Sequence, residues 1–154
     1  MPSWNEFEAA APALAAEVRR RLDAHTHKTL ATLRRDGAPR ISGSECQFAE
    51  GELWIGSMWN ALKARDLQRD PRFALHSGSG EPDEWSGDAK LAGVAEEITD
   101  PERVQAINGP KAPAGPSHLF RLDIHEASTV SVDGDQLVIE MWSAEGGIRT
   151  IRRA

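Results

Sequence analysis

The residues best placed to do chemistry gather between positions 57 and 63. Ser57 offers a hydroxyl, Asn60 an amide and Lys63 an ammonium group. They straddle a junction where a strand-like run, Glu52 to Met58, gives way to a helix-like one. Asn60 reads as the residue that opens the helix, which puts Lys63 in the first turn. Backbone N–H groups at a helix start lack partners within the helix, and the aligned peptide dipoles favour negative charge there. A lysine in that turn opposes the dipole at a cost of roughly 0.3–1 kcal/mol, where a carboxylate would stabilise it. A phosphate bound at this point removes the conflict, because the ammonium and the free N–H groups would both contact it. On spacing alone, a solvated lysine loosely paired with Asp66 is the competing reading.

Other reactive side chains are less organised. His25 and His27 alternate and could share a strand face, but no carboxylate is spaced with them, so they read as an ordinary strand start rather than a metal pair. His76 and His118 fall at strand positions and could be site residues or satisfied core groups, the structural reading being preferred. Cys46 is the only cysteine. No internal disulfide or cysteine-based zinc site can form, and Cys46 reads as a small buried hydrophobe. A reducing, cytoplasmic location is expected. Of five tryptophans, Trp54 sits mid-strand and should be core. Trp59 and Trp85 fall at turn or loop positions, where they would pack an interface or wall a pocket.

The elements that must position these groups follow from periodicity and turn chemistry. Ser3 and Glu6 form a capping box, and Phe7, Leu14, Val18 and Leu22 then mark one helix to about Ala24. Three strands form a meander: His27 to Leu33, Pro39 to Phe48 across the Asp36-Gly37 turn, and Glu52 to Met58 across Glu50-Gly51. A short helix runs from Asn60 to about Gln68 and stops near Asp70-Pro71. Strands are expected over Arg72–Ser77 and Asp88–Ile98, separated by the turn-rich run 78–87. Asp100-Pro101 starts a short helix to about Asn108. Residues 109–117, rich in Gly and Pro, form a surface loop that could act as a lid. Leu119 to Ile124, extending toward Val132, and Gln136 to Trp142 close the chain as a hairpin, with Ile148 to Ile151 as a last short run. At 154 residues this is a single domain, with an N-terminal helix (1–24), a barrel (25–142) and a tail (143–154). The net charge of −6 and the lack of any basic block argue against nucleic acid as a partner. No run approaches 18 apolar residues, and the start lacks the pattern of a secretory leader, so no membrane association is expected.

The order and spacing of these segments resemble the pyridoxamine-phosphate-oxidase-like superfamily of flavin and deazaflavin proteins. The likeness covers roughly residues 25 to 140. It rests on Lys63-Ala64-Arg65, Leu67, Pro71-Arg72 and Phe73-Ala74-Leu75. Leu30 to Leu33 with Asp36-Gly37 and Pro39-Arg40 match upstream, and Lys90 to Gly93 with Glu96-Glu97 match downstream. The resemblance implies a mainly β fold: an antiparallel split β-barrel with flanking helices, paired as a homodimer with the cofactor at the interface. It implies that Lys63 and Ser57 grip the cofactor phosphate, with Asn60 beside them. Leu62 stands where many members carry an arginine, and Arg40 could supply the missing cation, with Ser42 facing the same side. Met58 would lie beside the ring system or its ribityl chain, and Asp88 near the ring. The basic strand signature and C-terminal arginine spacing of the vitamin-salvage oxidases are not recognisable, which points away from pyridoxamine phosphate as substrate. The implied activity is an oxidoreductase acting on a small organic molecule, with FMN as the leading cofactor and the deazaflavin coenzyme as the alternative. A protein that holds a flavin- or haem-type cofactor without turnover is the other class left open.

Overall fold

The computed structural model describes residues 1–154. Two helices lead the chain, α1 (Trp4–Ala10) and α2 (Pro12–Asp23). Then come β1 (Lys28–Leu33), β2 (Pro39–Ser44), β3 (Gln47–Ala49), β4 (Glu52–Met58), α3 (Leu62–Arg69), β5 (Arg72–His76) and β6 (Gly87–Glu97). Helix α4 (Pro101–Asn108) precedes β7 (Ser117–Asp133), β8 (Gln136–Ser143) and β9 (Gly147–Arg153).

The strands form one antiparallel sheet in the order β2-β1-β5-β6-β7-β4-β3, with β8 and β9 added on the far half of β7. The sheet bends into a barrel that does not close, the split barrel expected from the sequence. Strand β7 is long enough to serve two neighbours on one side. Its first part pairs with β4 from Met58↔Ser117 to Leu53↔Leu122, and its second part pairs with β8 from Glu126↔Ser143 onward. Sequence periodicity breaks this region into shorter pieces. Its central residues are buried on both faces (Leu119, Phe120, Leu122, Asp123 and Ile124), so the alternation that marks strand limits is lost. Strand β9 pairs with β8 throughout.

The single N-terminal helix expected over residues 4–24 is two. Ala11 departs from helical geometry (φ −142°, ψ 67°), and Pro12, which has no N–H to donate, restarts the helix at its first position. The Ser3–Glu6 capping box is present. Leu14, Ala15, Val18 and Leu22 of α2 are buried with Leu30, Leu75, Leu91, Leu122 and Ile124 of the sheet, and this is the main core. Trp54 is fully buried as expected, but in a separate small cluster with Ile107 of α4 and Leu119. The run expected as one strand from Pro39 to Phe48 is β2 and β3, interrupted at Glu45 and Cys46.

Candidate functional site

The turn from β4 into α3 is built on Asn60. Ala61 N–H donates to Met58 O (3.1 Å), closing a four-residue turn, and Asn60, third in that turn, has φ 62°. Asparagine tolerates this left-handed conformation better than most residues, which accounts for its presence. The helix therefore begins later than the sequence suggested: Ala61 is the N-cap, Leu62 the first helical residue, and Asn60 lies in the turn. No side chain caps the helix, and its first turn contains no acidic residue. Its leading N–H groups are left for a ligand or solvent.

Lys63 is half-buried in that first turn. Its ammonium donates to the Gly43 carbonyl of β2 (3.1 Å). Burial pushes its pKa down from 10.5, and Glu45 partly counters this. The pairing with Asp66 that would have made Lys63 unremarkable does not form, because Asp66 is engaged elsewhere. Its carboxylate, 2 % exposed, accepts from Thr32 Oγ1 (2.8 Å), Arg40 Nε (2.7 Å) and Arg69 Nη2 (3.3 Å). Burial works to raise the Asp66 pKa, but the bonds from Arg40, Thr32 and Arg69 outweigh it and hold the carboxyl below 3.8. This hub fastens α3 to the β1–β2 hairpin.

The remaining expected site residues divide into two groups. Arg40, Ser42 and Ser44 are the less exposed residues of β2, alternating with exposed Pro39, Ile41 and Gly43. Arg40 and Ser42 pair with buried Thr32 and Leu30, so they share the inner face with α3, as the alternation implied. Arg40 is thus not a wholly free cation. Its Nε serves Asp66, while its terminal nitrogens make no hydrogen bond within the chain. Ser57 is buried and donates to Met58 O (3.2 Å), and Met58 is 82 % exposed. Asp88 is not brought to Lys63. Leu30, Leu75 and Leu91 lie in register on the inner face, so Asp88, an odd number of residues from Leu91, projects outward. There its carboxylate lies 3.6 Å from His76 Nε2.

One further participant has partners that the sequence does not signal. His118 of β7, only 2 % exposed, touches the α3 turn directly: its Nε2 accepts from Asn60 N–H (3.2 Å). Its Nδ1 meets Glu97 Oε1 at 2.6 Å, and Trp59 stacks on its ring (4.6 Å, 9°). Nothing local in the sequence signals this, since the partners lie 58 and 21 residues away. Two clefts of the chain, about 170 and 260 Å³, flank α1–β3 and the end of α2, and neither includes a residue of α3 or β2. The start of α3 is a cationic surface site, with half-buried Lys63 beside exposed Leu62.

Comparison with known proteins bears on this arrangement. The family model described as "Pyridoxamine 5'-phosphate oxidase" matches residues 14–131. Three solved structures share the fold. One is PhzG from Burkholderia lata 383 in complex with tetrahydrophenazine-1-carboxylic acid (15 % identity, TM-score 0.64, 96 % of this chain and 91 % of that one). Another is a pyridoxamine 5'-phosphate oxidase-related, FMN-binding protein from Nostoc punctiforme (15 %, 0.64, 94 % and 96 %). The third is Campylobacter jejuni ChuZ (14 %, 0.72, 91 % and 63 %). No curated protein sequence matches the chain.

Proposed function

The chain belongs to the pyridoxamine 5'-phosphate oxidase family, and from that membership we propose that it binds FMN with its phosphate at the start of α3 and acts as an oxidoreductase on a small organic substrate other than pyridoxamine phosphate. The observation that carries the reading is a helix start with no capping side chain, bearing a partly desolvated lysine whose ammonium meets a carbonyl but forms no salt bridge. A phosphate dianion answers both features. Lys63 and the leading N–H groups of α3 would hold it, with Ser42 and the terminal nitrogens of Arg40 on the adjacent strand face. The bound flavin supplies the hydride and electron chemistry. The protein's part is to fix the phosphate and so orient the rest of the cofactor. Of the two cofactors considered, FMN is favoured over the deazaflavin coenzyme because a structural neighbour of near-complete mutual coverage is an FMN-binding protein.

The site is completed, in this reading, by a second copy of the chain. Met58, Trp59 and Leu62 flank the α3 start and are each more than half exposed. Apolar side chains grouped around a cationic surface site suit an interface better than open solvent.

Titration with FMN, followed by quenching of ring fluorescence, tests the proposal. Saturable binding at one FMN per chain is expected, with a two-chain species in sedimentation velocity. Lys63→Ala removes a charge-assisted contact worth about 1.5–3 kcal/mol, which is about 10- to 100-fold in affinity. Unchanged affinity would place the phosphate elsewhere. Anaerobic addition of NADH or NADPH should bleach the bound ring, and a ring that binds yet is reduced by no donor would make the protein a carrier rather than an enzyme.

A further inference from the structure

Five residues, through four side chains and both the backbone and side chain of Asn60, close a hydrogen-bonded ring around the start of α3. Asn60 N–H donates to His118 Nε2 (3.2 Å), and His118 Nδ1 meets Glu97 Oε1 (2.6 Å). The other oxygen of that carboxylate, Oε2, accepts from Gln68 Nε2 in the last turns of α3 (2.8 Å). Gln68 Oε1 accepts from Arg65 Nη1 (3.3 Å), and Arg65 Nη2 returns to the amide oxygen of Asn60. The ring thus ties both ends of a short helix and its entry turn to the ends of β6 and β7. Trp59 closes one face of the imidazole by stacking.

We propose that His118, locked by Glu97, is a positioning residue that sets the orientation of the α3 anion seat. The inference rests on the cofactor reading above, but its mechanism lies in this chain alone. In a turn whose third residue is left-handed, that residue's N–H points out of the turn, and here the acceptor it meets is His118 Nε2. A backbone N–H can only donate, so His118 Nε2 must carry the lone pair and Nδ1 the proton. Glu97 holds that tautomer by accepting from Nδ1. Without the acceptor the Asn60 peptide is free to rotate, and the first-turn N–H groups of α3 and Lys63 turn with it.

Two substitutions separate this role from simple packing. The side-chain oxygen of glutamine reaches the place of Nε2, whereas asparagine is shorter and matches only the Nδ1 end. His118→Gln should therefore bind FMN within about threefold of the parent, and His118→Asn at least 10-fold more weakly. Equal losses in both, or none in either, would overturn the proposal. Measurements on the ligand-free protein keep it open to test whatever happens to FMN. Nitrogen-15 spectra should show a neutral His118 with its proton on Nδ1, and the Asn60 amide should exchange slowly in the parent and in His118→Gln but quickly in His118→Asn. A proton on Nε2, or an Asn60 amide that exchanges equally in all three, refutes the ring. If the parent binds no FMN while these signatures hold, the cofactor assignment fails and the positioning device stands. If Lys63→Ala loses FMN while both His118 variants keep it, the reverse is true.

Discussion

Replacing Asp66 by asparagine should loosen α3 from the hairpin it rests on, and the size of the effect can be worked out from its contacts. The carboxylate is buried and serves Thr32, Arg40 and Arg69 at 2.8, 2.7 and 3.3 Å. Removing one partner of a buried ion pair costs about 3–5 kcal/mol. The lower end applies because asparagine keeps one carbonyl oxygen, and the two arginine side chains, 22 % and 32 % exposed, recover some solvation. A loss of about 3 kcal/mol lowers the melting temperature of a domain this size by about 6–12 °C. The experiment is thermal unfolding at fixed protein concentration, since the stability of any self-associating chain depends on it. The pH dependence gives a second check. The Asp66 pKa is held below its ordinary value, so its stabilisation is complete above about pH 4 and is lost as pH falls through the folded-state pKa. The gap between parent and Asp66→Asn should be widest near pH 7 and narrow below pH 4. A variant melting within 2 °C of the parent at pH 7 would show that the hub does not hold α3.

Two further outcomes concern other parts of the fold. Gly93 sits at the register shift between β6 and β7, where an added Cβ would come within 1.8 Å of the Asp123 carbonyl oxygen, so Gly93→Ala should cost at least about 3 kcal/mol; a urea midpoint giving a loss under 1 kcal/mol would contradict the packing. Burial pushes the Cys46 thiol pKa up, against a smaller opposing pull from Lys28, so its reaction with a disulfide reagent at pH 7 should be several-fold slower than that of a free thiol and should match it only in denaturant.

What the sequence disclosed depended on how local each feature was. The Ser3 capping box and the Asp36-Gly37 turn involve residues within a few positions of one another, and both are present. The Pro12 break is hidden because the apolar spacing of Phe7, Leu14 and Val18 runs through it, and all three are buried in one core despite the interruption. Asn60 misleads for a chemical reason: asparagine serves equally as a helix cap and as a left-handed turn residue, and only the backbone decides between them. Lys63 in the first turn of a helix was legible because dipole and charge conflict within a single turn, although the absence of a cap was not. The Asp66 hub and the His118 ring were not, since each joins side chains from three or more elements that only the sheet order brings together.

That sheet order also bears on the proposal that two copies share the cofactor site. Strands β1 and β5 lie between β2, which carries Ser42 and Arg40, and β6, which carries Asp88. Three inter-strand spacings amount to about 14 Å, and Asp88 with His76 faces outward while Ser42 and Arg40 face α3. A ligand anchored at Lys63 would have to round the exposed edge at β2 and cross the outer surface to meet Asp88 of its own chain. A second copy packed on Met58, Trp59 and Leu62 could present its outer face to the seat directly, covering the exposed apolar side chains in the same step. The division of the expected site between two faces counts against Asp88 in an isolated chain, and under the proposal of a shared site Asp88 would serve the partner's seat.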